Sequence, residues 1–204
     1  VEAITGKKVP FYKADILDRD AFEKELNELG SLRAKADAIR TRLAKSINTK
    51  YQENPAYYEN FSKRIKEALE LYKARTITEA EYLAKMRDIL EDYRTGKSAI
   101  AYPDRIRANV HAQAFYGVLT AIFSNEKLSV EPDFAAEMAL DITTIIEKHS
   151  QVDWTHNLTI HDRISQDIDD LFYRYQKEMG LVLSFDVIDM IIENVKTVAL
   201  RRFA

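Results

Sequence analysis

The sequence predicts an all-α protein, a bundle of about seven helices in two loosely separable halves, with no significant β-sheet. Three observations predict it. Apolar residues recur at three- and four-residue steps along most of the 204 positions, the spacing that lines one face of an α-helix. Helix breakers are scarce, only five glycines and four prolines, so each acts as punctuation. Helix-start chemistry stands beside Pro55, Pro103 and Pro132 and at Thr78-Glu79-Ala80-Glu81, where a missing N–H costs nothing or a hydroxyl meets an orphan N–H.

Residues 1–17 read as an extended linker containing Gly6 and Pro10. From Asp18 onward, Phe22, Leu26, Leu29, Leu32, Ala36, Ile39, Leu43 and Ile47 share a face, which predicts one helix about 30 residues long. Gly30 is its weak point, at about 1 kcal/mol against alanine. Asp20 with Glu23 reads as a modest cap at its start. A second helix opens at Pro55 and carries Tyr58, Phe61, Ile65, Leu69 and Tyr72. The Thr78–Glu81 capping box opens a third, with Tyr82, Met86, Ile89, Leu90 and Tyr93. The short Arg75-Thr76-Ile77 link makes these two an antiparallel hairpin.

The polar break Thr95–Ser98, with Gly96, is the best internal boundary. It leaves 18–95 as a long helix plus hairpin and 99–204 as a four-helix half. There, Ile106 to Phe123 is apolar on more than one face and so central. Phe134, Met138, Ile142, Ile145 and His149 form the next stripe. Ile164, Ile168, Leu171, Phe172, Tyr175 and Met179 form another, closed by Gly180 as a left-handed cap. The last helix runs from Ser184. Leu181-Val182-Leu183 has strand-like residues, but three residues without a partner make a poor strand.

Composition excludes more than it assigns. A net charge of −3 gives no global case for binding nucleic acid or membrane. The absence of cysteine removes disulfides, thiolate zinc sites and thiol catalysis, and it fits a reducing, cytoplasmic setting. No apolar run approaches the roughly 18 residues that span a bilayer. The chain begins with Val and lacks a signal stretch, which suggests a fragment of something longer.

The chemistry of known catalytic motifs is missing. No Gly-x-Gly-x-x-Gly or Gly-x-x-x-x-Gly-Lys-Ser/Thr occurs, so no phosphate-cradling loop is encoded and no cofactor is expected on this segment. No lysine follows an acid by two positions, so half of a PD-(D/E)xK nuclease site is absent. No His-Glu-x-x-His or Glu-x-x-His provides metal ligands. His156 and His161 stand five apart, about 140° apart on a helix, and could share a metal only if the helix starts between them. Capping or hydrogen bonding is the plainer role for all four histidines.

Charge is segregated. Residues 31–50 hold Arg33, Lys35, Arg40, Arg42, Lys45 and Lys50 against Asp37 alone, after an acidic stretch over 15–30. Acids at a helix start and bases at its end complement the macrodipole; a stripe along DNA phosphates is the alternative. Residues 126–170 hold eleven acids against Lys127, Lys148 and Arg163, which suits solubility or docking to a basic partner. Trp154 beside Thr155 reads as a helix staple, with Thr155 as the N-cap; an exposed interface anchor is the other reading. The candidate site residues are therefore Arg33, Lys35, Arg40, Arg42 and Lys45 for DNA phosphates, and Trp154, His156, Asp167 and Asp170 for partner docking. None is catalytic.

The order of segments also resembles a known family. A long helix with Ala34-Lys35-Ala36-Asp37-Ala38-Ile39 leads to Asn54-Pro55-Ala56-Tyr57-Tyr58-Glu59-Asn60-Phe61-Ser62. A hairpin with Thr78-Glu79-Ala80-Glu81-Tyr82 follows, and then Asp153-Trp154-Thr155 opening a helix that includes Leu171-Phe172-Tyr173. Over most of residues 20–180 this resembles the C-terminal helical region of the restriction (R) subunit of type I restriction–modification enzymes. The resemblance implies a nuclease domain and an ATP- and magnesium-dependent DNA motor upstream, with residues 1–17 as the linker from that motor. It implies docking onto the methyltransferase (modification) subunit, with duplex DNA held by the whole complex. No catalytic residue of such enzymes carries over.

Overall fold

The structure, a computed structural model, describes residues 15–97, 100–151 and 153–204. The linker expected over 1–17 thus lies almost wholly outside the described residues, as does Val152. Among the described residues there are eight α-helices and no strand: α1 (Arg19–Asn27), α2 (Leu32–Lys50), α3 (Pro55–Lys73), α4 (Glu79–Thr95), α5 (Val110–Asn125), α6 (Pro132–His149), α7 (Leu158–Met179) and α8 (Phe185–Arg202). The fold is all-α, as the periodicity predicts. Two compact units divide the chain: Val1–Ser46 with Arg64–Lys97, and Ile47–Lys63 with Ser98–Ala204.

In the first unit, the predicted single helix is two. α1 stops at Asn27, and α2 starts afresh at Leu32. Ser31 explains the restart: its Oγ accepts the Ala34 N–H at 3.1 Å, and its carbonyl accepts the Lys35 N–H. A serine just after glycine competes for helix-start N–H groups better than it continues a helix. The cap of α1 is also Asp18, not Asp20, since Asp18 accepts the Ala21 N–H. The shared apolar face survives the break, with Phe22, Leu26, Ala36, Ile39 and Leu43 all buried.

α4 packs this unit together. Arg87 forms a two-pronged bond to Glu23, and Arg19 reaches Glu91. Arg94 donates to the Ile16 carbonyl and lies over the Phe22 ring. The Thr78–Glu81 capping box is present in both directions. The link before it turns at Arg75, whose φ of 58° is left-handed, and the Tyr72 and Tyr82 rings stack at 4.7 Å. Gly96, φ 71°, caps α4.

The second unit is built around α5, buried almost all round through Ala112, Ala114, Phe115, Leu119 and Phe123. That central position is as the sequence predicts. Its start is not: Ile106 belongs to a separate single turn, and α5 begins at Val110 because Asn109 accepts the His111 and Ala112 N–H groups. α5 packs on α6 and α8, with α7 against α6 and α8. The chain at Ala56 comes so close to Gly117 that a Cβ there would meet the Ala56 Cβ at 2.6 Å. Near the chain end, Arg202 donates to the Glu53 and Val110 carbonyls and to His111 Nδ1.

Candidate functional site

Three arginines of the basic stripe on α2 face carboxylates of their own unit. Arg33 and Arg40, seven apart, both face Asp37, at 3.7 and 3.4 Å. Arg33 also sits over the Tyr72 ring. Arg42 pairs with Glu25 of α1 at 3.3 Å, with each side chain only 19% exposed. Lys35 is half-buried and Lys45 exposed. The stripe therefore exists as a surface row, but its guanidiniums answer carboxylates of the same unit. Asp37, the lone acid in that stretch, also accepts from the Tyr82 hydroxyl.

The four docking candidates of the second unit separate. Trp154 is 3% exposed, and its indole N–H donates to the Phe203 carbonyl at 3.0 Å. That burial corrects the reading of Trp154 as an exposed anchor: an amphipathic ring has found both an apolar bed and a polar partner inside the unit. The cap is corrected too. Thr155 lies within a single 3-10 turn, Trp154–His156, and Asn157 is the residue whose side chain accepts the Ile160 N–H. Asp153 takes a left-handed φ of 62° to enter that turn, a conformation Asp tolerates better than most residues.

α7 does begin between His156 and His161. His161 Nε2 nevertheless meets the Trp154 carbonyl at 3.1 Å, while His156 is exposed. Among the described residues no group of three or more His, Cys, Asp or Glu side chains converges to hold a metal. No helix of the described residues is long and apolar enough to cross a membrane.

Asp167 and Asp170 do come together. They line an open groove of about 540 Å³ between α6 and α7, with Asp141, Ile145, Lys148 and Arg174. Asp167 accepts from Lys148 at 2.8 Å and meets His149 Nε2 at 2.8 Å. The bond from Lys148, and then that from His149, holds its carboxyl below the ordinary carboxylate range. Asp141 accepts from Arg174 and from the Tyr175 hydroxyl. Burial, and then that bond to Asp141, pushes the phenol well above its usual value. The groove is a charged seam in which most cations are matched by acids. Asp170, which lines it, is exposed, as is its neighbour in sequence Asp169.

The turn between α7 and α8, read from the sequence only as a helix end and a poor strand, was not among the candidate sites. Val182 and Phe185 are the most exposed large apolar residues described, at 84% and 85%. Leu181 and Leu183 on either side of Val182 point inward instead. The in–out alternation of Leu181-Val182-Leu183 was the available signal.

No curated protein and no solved structure matches the chain. Residues 4–199 match the family described as type I restriction enzyme HindI endonuclease subunit-like, C-terminal. With nearly the whole length matched, the chain belongs to the family of C-terminal domains of HindI-like type I restriction enzyme endonuclease subunits.

Proposed function

We propose that this chain is a non-catalytic docking domain, joining the DNA motor of a type I restriction subunit to the methyltransferase subunit of the same complex. The observation that carries the reading is the acid excess of the α6–α7 surface: within the groove Asp167 and Asp141 are answered by Lys148 and Arg174, while Asp162, Asp169 and Asp170 of α7 stand exposed. Such a surface repels DNA phosphates and suits a basic protein face. Membership of a multi-subunit enzyme family agrees with it. ATP and magnesium would serve the motor of the whole subunit and not this chain. DNA would be held by the assembled complex, in the cytoplasm.

The test is co-elution. The purified chain and the methyltransferase subunit, mixed in low salt and run on gel filtration, are expected to migrate together. A folded chain that elutes alone at micromolar concentration would overturn the reading.

A further inference from the structure

The turn between α7 and α8 is built, not loose. Gly180, φ 69°, closes α7 by donating its N–H to the Tyr175 carbonyl. Gln176 Nε2 donates to the Leu183 carbonyl at 2.8 Å. Ser184 then caps α8 by accepting the Val187 N–H. Leu183 is buried below the turn and Leu181 packs on the core. That fixed backbone leaves Val182 and Phe185 almost wholly in water, with Met179 58% exposed beside them in sequence. Nothing in the turn requires these positions to be apolar. Apolar side chains grouped in water are one mark of an interaction surface.

The surrounding charge identifies the occupant. Glu178, Asp186 and Asp189 are exposed within four residues of the apolar positions, against Lys177. Farther off, Glu193 is answered by Lys196 at 2.8 Å and Asp167 by Lys148, so the acids that bear on the tip are these three. A second copy of the chain would set like charges face to face across a two-fold axis. An anionic membrane surface would be repelled.

We propose that the Val182–Phe185 tip is a docking knob that enters an apolar pocket rimmed by Lys and Arg on a protein partner. On the docking reading above, which this inference rests on, that pocket lies on the methyltransferase subunit. The knob supplies desolvation, and Asp186 and Asp189 supply orientation and salt sensitivity.

The test uses the intact endonuclease subunit containing this chain and measures its affinity for the methyltransferase subunit. The double variant Val182→Ser/Phe185→Ser is expected to weaken binding about tenfold or more. Asp186→Lys/Asp189→Lys is expected to weaken it as well and to flatten its salt dependence. The serine variant should keep wild-type helicity and melting temperature, since both side chains are exposed; the lysine variant should stay helical but melt slightly lower, because Asp186 stands in the first turn of α8. Leu17→Ser, at an exposed apolar site in the other unit, should leave affinity unchanged. Wild-type binding that both double variants match within about twofold would overturn the knob while leaving docking intact. No binding by the wild type would overturn docking and the knob together. Self-association of the subunit that the serine variant abolishes would overturn the assignment in favour of a second copy.

Discussion

At the scale of single residues, His111 links the chain end to the start of α5. Its Nδ1 accepts from Arg202, and its ring lies 4.4 Å from that of Phe203. Burial first, and the Arg202 charge second, lower its pKa from the ordinary 6.5. The unfolded chain therefore takes up a proton at a higher pH than the folded one does. Stability from this group is complete above about 6.5 and declines as the pH falls below it, until the folded form also protonates. Thermal melts at pH 7.5 and 5.5 are expected to show that loss, and His111→Asn, which keeps an acceptor but cannot protonate, should reduce it. Equal pH dependence in variant and wild type would reject this role. Trp154→Ala should cost about 3–5 kcal/mol in denaturant titrations, the cost of emptying a packed aromatic site. A surface anchor would cost almost nothing. The sequence gave His111 only a capping or hydrogen-bonding role and singled out Trp154 as a staple or an anchor. Their partners, Arg202 and the Phe203 carbonyl, lie 91 and 49 positions away, beyond the reach of any local pattern.

Helices were legible because each carries its own start and stop. The capping box at Thr78 and the left-handed cap at Gly180 are local chemistry and stand where they were read; Gly96, read only as part of a polar break, is a left-handed cap too, and Ser184, read as the start of the last helix, is its N-cap. The misreadings share one cause. Apolar periodicity continued across Gly30-Ser31 and across Ile106–Asn109, while a short polar side chain ended the helix by capping the next. Ser31→Ala is expected to destabilise the chain by about 1 kcal/mol, and an unchanged denaturation midpoint would mean that something else sets the break. Gly117→Ala makes a sharper test. In an ordinary helix that change gains about 1 kcal/mol; here the new Cβ meets Ala56, and a net loss of about 1–3 kcal/mol is expected instead. A stabilised variant in chemical denaturation would refute the close approach.

For the molecule as a whole, charge decides between the two surfaces. With Arg33 and Arg40 sharing the one carboxylate of Asp37, and Arg42 facing Glu25, the three guanidiniums of the α2 stripe are engaged within their own unit. Changing Arg33, Lys35, Arg40, Arg42 and Lys45 to Ala should therefore move the log–log salt slope for duplex DNA by less than about one, in fluorescence anisotropy. A drop of about three or more would restore the stripe as a DNA site. Read alone, the amino-acid order declares an all-α chain, its family and most helix ends, because periodicity and capping act within a few residues. Which candidate residues are available to a partner was left to packing. Trp154 turned inward, the arginines found carboxylates, and the hydrogen-bonded α7–α8 turn put Val182 and Phe185 into water. Exposure is a property of everything that surrounds a side chain, and those surroundings are assembled from segments far apart in the sequence.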